Sequence, residues 1–164
     1  MYKHLIFFIC FLFLSIASSN ELNTSLDSLL KDRTINVYHA HLFSKVLTQD
    51  GEGRIKPFHT VSSEIIRKIS RKNSFYNQEP VQIVLGMMAD PLLWQMLPLI
   101  KVSSDEILSI LNREGPHVTF VSFFNEENRY ILTPYVEMAY SKRPIDRTKF
   151  DKKIIEVDER VNIC

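Results

Sequence analysis

Pro80-Val81-Gln82-Ile83-Val84-Leu85-Gly86-Met87-Met88-Ala89 begins with a proline suited to the first turn of a helix, and Asp90-Pro91 ends it. Val81, Ile83, Val84, Leu85, Met87 and Met88 fall on nearly every side of that helix, so the element is expected to be buried. A buried helix requires other elements around it. The next segment, Leu92 to Ile100, is the most hydrophobic beyond the N-terminus, yet at nine residues with Pro98 inside it cannot span a bilayer. It is expected to be core, or a docking patch around Trp94 if its partner is missing.

Upstream, Thr60 offers an N-cap for a helix over Val61–Lys72, with Ile65, Ile66 and Ile69 on one side. Arg67, Lys68, Arg71 and Lys72 crowd its last turn. They either complement the helix C-terminus or form a binding patch for an acidic partner or lipid headgroups. From Thr34 to Phe58 short apolar pieces alternate with turn chemistry at Gln49–Gly53 and Pro57. Downstream, Ser103 and Glu106 form a capping box for a helix carrying Ile107, Leu108, Ile110 and Leu111, closed by Gly115-Pro116. Val118–Phe124 has strand composition, and Tyr130–Leu132 can pair with it across Asn125–Arg129 as a short β-hairpin. Thr133-Pro134 opens a helix through Tyr140. After Pro144, Phe150, Ile154, Val157 and Val161 recur as a single buried stripe. The expected fold is mainly α: a small helical domain over 36–164 with one short hairpin. The last helical pattern stops with the chain at Cys164, so the polypeptide is expected to be one piece of a longer protein.

The N-terminus differs in kind. Fourteen of the first 20 residues are hydrophobic and Lys3 is the only charged one. A short basic start, the apolar run Leu5–Ile16 interrupted only by Ser15, and Ala17-Ser18-Ser19 fit a secretory signal peptide. An uncleaved membrane anchor is the other reading of residues 1–20, although the run is shorter than a typical span. Both place the following residues outside the cytoplasm, because Lys3 precedes the run while Glu21 and Asp27 follow it. Residues 21–35, with leucines at 22, 26, 29 and 30, read as a tether or a short amphipathic segment.

The whole chain has a formal net charge of +1, which excludes the basic excess of a nucleic-acid binder. That balance is segregated. Residues 31–72 carry +5, 73–141 carry −5 and 142–164 carry +2, which suits either internal pairing of basic and acidic faces or a polarised surface for a partner. Cys10 and Cys164 cannot support a disulfide-stapled fold.

Catalytic patterns are sparse. The sequence has no Gly-rich phosphate loop, no Gly-x-Ser-x-Gly, no Cys-x-x-Cys and no His-Glu-x-x-His, so the chain is not expected to be an enzyme by itself. His39 and His41 form a His-x-His pair, which on an extended segment would put both imidazoles on one face, within reach of one metal ion or haem iron. A secreted or periplasmic metal- or haem-binding protein using His39 and His41 is therefore one functional reading.

A second reading comes from longer stretches. His39-Ala40, Val46-Leu47-Thr48-Gln49-Asp50-Gly51-Glu52-Gly53-Arg54-Ile55-Lys56-Pro57 and Thr60 through Lys72 occur in order with Leu85 through Pro91, Trp94, Pro98 through Val102, and Phe150-Asp151-Lys152 through Val157–Cys164. Together they resemble the extracytoplasmic region of Bacteroidetes-type cytochrome c biogenesis (system II) proteins, in which ResB-like and CcsA-like halves are fused. The resemblance covers most of 36–164. It implies a membrane-bound system that exports haem and attaches it to apocytochromes, with CcsA-like and ResB-like membrane subunits and apocytochrome c as partners. It also implies an inner-membrane location with the domain facing the periplasm.

By the same resemblance, residues 1–20 would correspond to a final transmembrane segment of the ResB-like half. His39 falls at the His-Ala position and is the single candidate haem ligand, whereas His41 and His59 depart from the pattern. The tryptophan-rich loop of the CcsA-like half is absent, Trp94 being the only tryptophan, so this chain alone should not attach haem. It would act as an accessory or linker by docking, through Arg67, Lys68, Arg71 and Lys72 and the apolar segment around Trp94.

Overall fold

A computed structural model describes residues 28–164. The expectations for residues 1–20, and for 21–27 of the tether, lie outside them. Residues 28–32 are helical, and the Thr34 hydroxyl donates to the Leu30 carbonyl at 2.6 Å. Residues 35–164 form a separate compact unit, described from here on.

Its elements run α1 (Val37–Phe43), β1 (Leu47–Gln49), β2 (Ile55–Pro57), α2 (Phe58–Ser70), α3 (Pro80–Ala89), α4 (Pro91–Gln95), β3 (Ile100–Lys101), α5 (Asp105–Ile110), β4 (His117–Val118), α6 (Thr133–Ser141) and α7 (Lys149–Val161). Single 3₁₀ turns occupy Phe120–Phe123 and Pro144–Asp146. The mainly helical fold with a small hairpin is thus as the sequence implies.

The buried helix is α3. Pro80 fills its first position, where the missing N–H is not needed, and Glu79 and Gln82 close a reciprocal capping box around it. Gln82, itself buried, extends Nε2 to the Ile35 carbonyl at 2.8 Å and so ties the start of the unit to α3. Ile66 and Ile69 of α2, Val81 and Ile83 of α3, and Ile154 and Val157 of α7 are all essentially inaccessible. Full burial of each such side chain contributes about 1.5–3 kcal/mol, so these three helices and the β3–β4 ladder between them define the core. In that ladder Ile100 pairs with Val118 and Lys101 with His117.

Several local readings are corrected. The hairpin lies at β1–β2, where Leu47 faces Pro57 and Gln49 faces Ile55. Asp50 builds its turn: Oδ1 accepts from the amides of Glu52 and Arg54 at 3.0 and 2.9 Å, and Gly53 supplies a φ of 83°. Across Asn125–Arg129 only one bridge forms, Phe124 to Tyr130, because Phe120–Phe123 coils into a 3₁₀ turn that buries Ser122 and Phe123. Helix α2 begins at Phe58, three residues after Ile55, with Pro57 rather than Thr60 at its N-cap. It ends at Ser70, since Arg71 turns left-handed at φ 59°. Ser104, not Ser103, precedes α5, and its side chain makes no cap bond. Helix α7 begins with a box the proline at 144 obscured: Thr148 and Asp151 cap each other, and Lys142 grips Asp151 at 2.8 and 2.9 Å. Those bonds, the Lys142 ammonium first, hold the Asp151 carboxyl down at about 2. Asn162, in right-handed helical conformation, follows α7 as its C-cap.

Candidate functional site

The basic end of α2 faces α7. Lys68 Nζ meets Glu159 Oε2 at 2.5 Å and Arg71 Nη2 meets Glu156 Oε1 at 2.6 Å. The left-handed residue that ends α2 is itself Arg71, a conformation that disfavours non-glycine residues by about 1–2 kcal/mol. Both pairs are half-exposed, and such bridges are individually worth about 0–1 kcal/mol, so they align the helices more than they stabilise them. Charge segregation therefore resolves partly into internal pairing, though with carboxylates of the last segment rather than of the acidic middle. Lys72 places its ammonium 5.2 Å from the Phe75 ring centre, and both it and Arg67 are exposed.

Behind Arg71 lies a buried cation that the charge pattern did not single out. Arg160 is 1% exposed, with Nη1 donating to the Lys101 carbonyl of β3 and Nη2 to Glu156. Among the described residues its Nε finds no partner. Burial opposes the charge on Glu156, but Lys153, Arg71 and Arg160 outweigh it and leave the carboxyl at about 2. The signal was present in sequence: Arg160 follows Val157 by three residues and precedes Val161, placing a guanidinium on the buried stripe of α7.

Trp94 is 6% exposed and packs over Gly86 of α3. Leu93, Leu97, Leu99 and Ile100 are buried with it, while Leu92 and Met96 remain at the surface. Much of 92–100 is therefore core. A cavity of about 20 Å³ between Trp94 and Cys164 marks where α4 approaches the end of the chain, and burial pushes the Cys164 thiol up to about 12.

The histidines diverge. Residues 37–43 are helical, not extended, so His39 and His41 project about 200° apart around α1 and do not share a face. His41 instead lines an open groove of about 640 Å³ with His59, Tyr38, Glu79 and Val81, and His39 is not among its walls. Among the described residues no group of three or more His, Cys, Asp or Glu side chains is placed to hold a metal ion. His117 is occupied elsewhere: Nε2–H donates to the Ser70 carbonyl at 3.0 Å, and burial draws its pKa below the ordinary value. Among the described residues no helix is long and apolar enough to cross a membrane.

No protein-family model matches the chain. The chain is similar to protein NrfI of Wolinella succinogenes, with 34% identity over 123 residues. That match covers 74% of this chain but 14% of NrfI, so the chain spans only a small part of the length of the relative it resembles.

Proposed function

We propose that this chain belongs to the extracytoplasmic part of a membrane-bound apparatus for cytochrome c maturation, in which haem is a substrate carried to apocytochromes. The observation that carries the reading is the similarity to NrfI over three quarters of the chain, which joins the ordered resemblance to cytochrome c biogenesis proteins through 39–164. The domain acts by docking and not by catalysis. It is held at the periplasmic face of the inner membrane by residues 1–20, and its partners are CcsA-like and ResB-like membrane subunits and the apocytochrome. Haem reaches it only through that complex, with His39 exposed on α1 as the one ligand candidate the resemblance supplies.

The geometry adds a division of labour at the basic helix end. Lys68 and Arg71 are committed to α7, and Trp94 to the core, which leaves Arg67 and Lys72 as the exposed cations of that cluster for an acidic partner surface. The test is co-isolation of the full chain from membranes. Haem-handling multispanning subunits should accompany it, and R67E with K72E should lower their recovery about tenfold, the effect of about 1.4 kcal/mol at an interface. The same pair should change stability by no more than about 0.5 kcal/mol, as exposed substitutions do. A freely soluble monomer without such companions would count against the proposal.

A further inference from the structure

We infer that α1 and the β1–β2 hairpin form a lipid-contact surface that rests on the headgroup region of the bilayer; this builds on the anchored placement proposed above. Val37, Tyr38, Leu42, Phe43, Leu47 and Ile55 are between 49% and 67% exposed, and all belong to two elements joined by Ser44–Val46. Isolated exposed apolar residues are ordinary, but this concentration on adjacent elements is not.

The pattern within each element is directional. In α1 the buried residue is Ala40; Tyr38 and Leu42, two positions to either side, project from the opposite face, and Val37 and Phe43 flank Ala40 at the two ends of the helix. In the hairpin Leu47, Ile55 and Pro57 share the exposed face. Thr48 and Lys56 share the other, where Lys56 Nζ bonds Glu64 at 2.8 Å and Asp50 at 2.9 Å. The inner face is thus polar and paired, the outer face apolar and uncovered.

Charge selects the occupant. From Arg33 to Gln49 the chain contains no carboxylate, while Lys45, His39 and His41 lie among the apolar side chains. The nearest carboxylates are engaged: Asp50 and Glu52 of the hairpin turn pair with Arg54 at 3.0 and 2.8 Å, and Glu79, which shares a groove with Tyr38, caps α3. An apolar face with a tyrosine, a lysine and no unengaged carboxylate suits an anionic lipid interface. The connection to the membrane is short. Nineteen residues lie between Ala17, at the end of the apolar run, and Val37, a reach of at most about 70 Å even when fully extended. A surface held that close needs only weak intrinsic affinity, because tethering supplies a high effective concentration.

The experiment uses the full chain reconstituted into vesicles of phosphatidylcholine and phosphatidylglycerol, with an added tryptophan as reporter. The emission of Trp94 in the unsubstituted chain is subtracted. With brominated lipid, the added emission of Leu47→Trp should fall by about twofold or more, as for an indole at the interface. That of Met138→Trp, on the exposed side of α6, should not change. If both reporters are equally insensitive while the chain still floats with the vesicles, the lipid-contact surface is wrong and the anchoring stands. A blue shift of Leu47→Trp that follows protein concentration and not lipid would assign the face to a second copy of the chain and overturn the inference. A chain that does not float with vesicles would overturn both readings.

Discussion

Gly86→Val is expected to unfold the domain at temperatures where the unsubstituted chain is intact. A Cβ on residue 86 would lie 2.7 Å from Trp94 Nε1 and 3.0 Å from two carbons of the same ring, well inside van der Waals contact. The indole has little room to yield, because Trp94 is buried between α3 and the residues leading to β3. Inserting atoms into such a contact costs about 1–3 kcal/mol or more, and valine adds two branched γ-carbons, stiff about χ1, to a Cβ that already clashes. A loss of about 3 kcal/mol would lower the melting temperature of a domain this size by roughly 10 °C. Gly86→Ala is the informative companion. Alanine gains about 1 kcal/mol of helix propensity, so a net loss would isolate the clash, and combining it with Trp94→Leu should recover part of that loss. Thermal unfolding followed by circular dichroism reads all three. A Gly86→Val protein as stable as the parent would mean that Trp94 does not pack on α3.

Arg160→Ala is expected to be comparably damaging, by about 3 kcal/mol, because it strips a buried guanidinium from partners that stay behind. The Lys101 carbonyl would lose its donor and Glu156 its innermost cation. Arg160→Lys restores charge but not the planar fork that reaches both groups, so it should recover only part of the loss. Arg160→Met, which fills the space, should be milder than alanine. The urea midpoint of each variant measures this order. Equal midpoints for Arg160→Ala and the parent would show that the cation is not buried on β3.

How much of this was legible in the sequence depended on whether local signals were sufficient. Helix α3 and the stripe of α7 were readable because proline placement and apolar periodicity are local properties of 80–91 and 150–161. Helix α1 was not, since Val37–Phe43 mixes apolar and histidine positions with no clear period; its helical state is supported by Asn36, whose side chain accepts from the Tyr38 amide, and by Ala40 buried beneath it. That one difference dissolved the His-x-His pair and brought His41 toward His59. Val118–Phe124 failed as a strand for a tertiary reason. Of that segment only Val118 enters a strand, pairing with β3, and Phe124 makes a single bridge to Tyr130, while the rings of Phe123 and Phe124 pack against Tyr130. The destination of Lys68 and Arg71 depended on where α7 returns, which no local spacing reveals.

The central claim, a part in cytochrome c maturation, is tested most directly in cells that make this chain by deleting its coding sequence and measuring covalently attached haem in their c-type cytochromes after denaturation. The account predicts that covalent haem is lost while apocytochrome is still made, and that supplying the full chain restores it. Undiminished haem attachment in the deletion strain would contradict it.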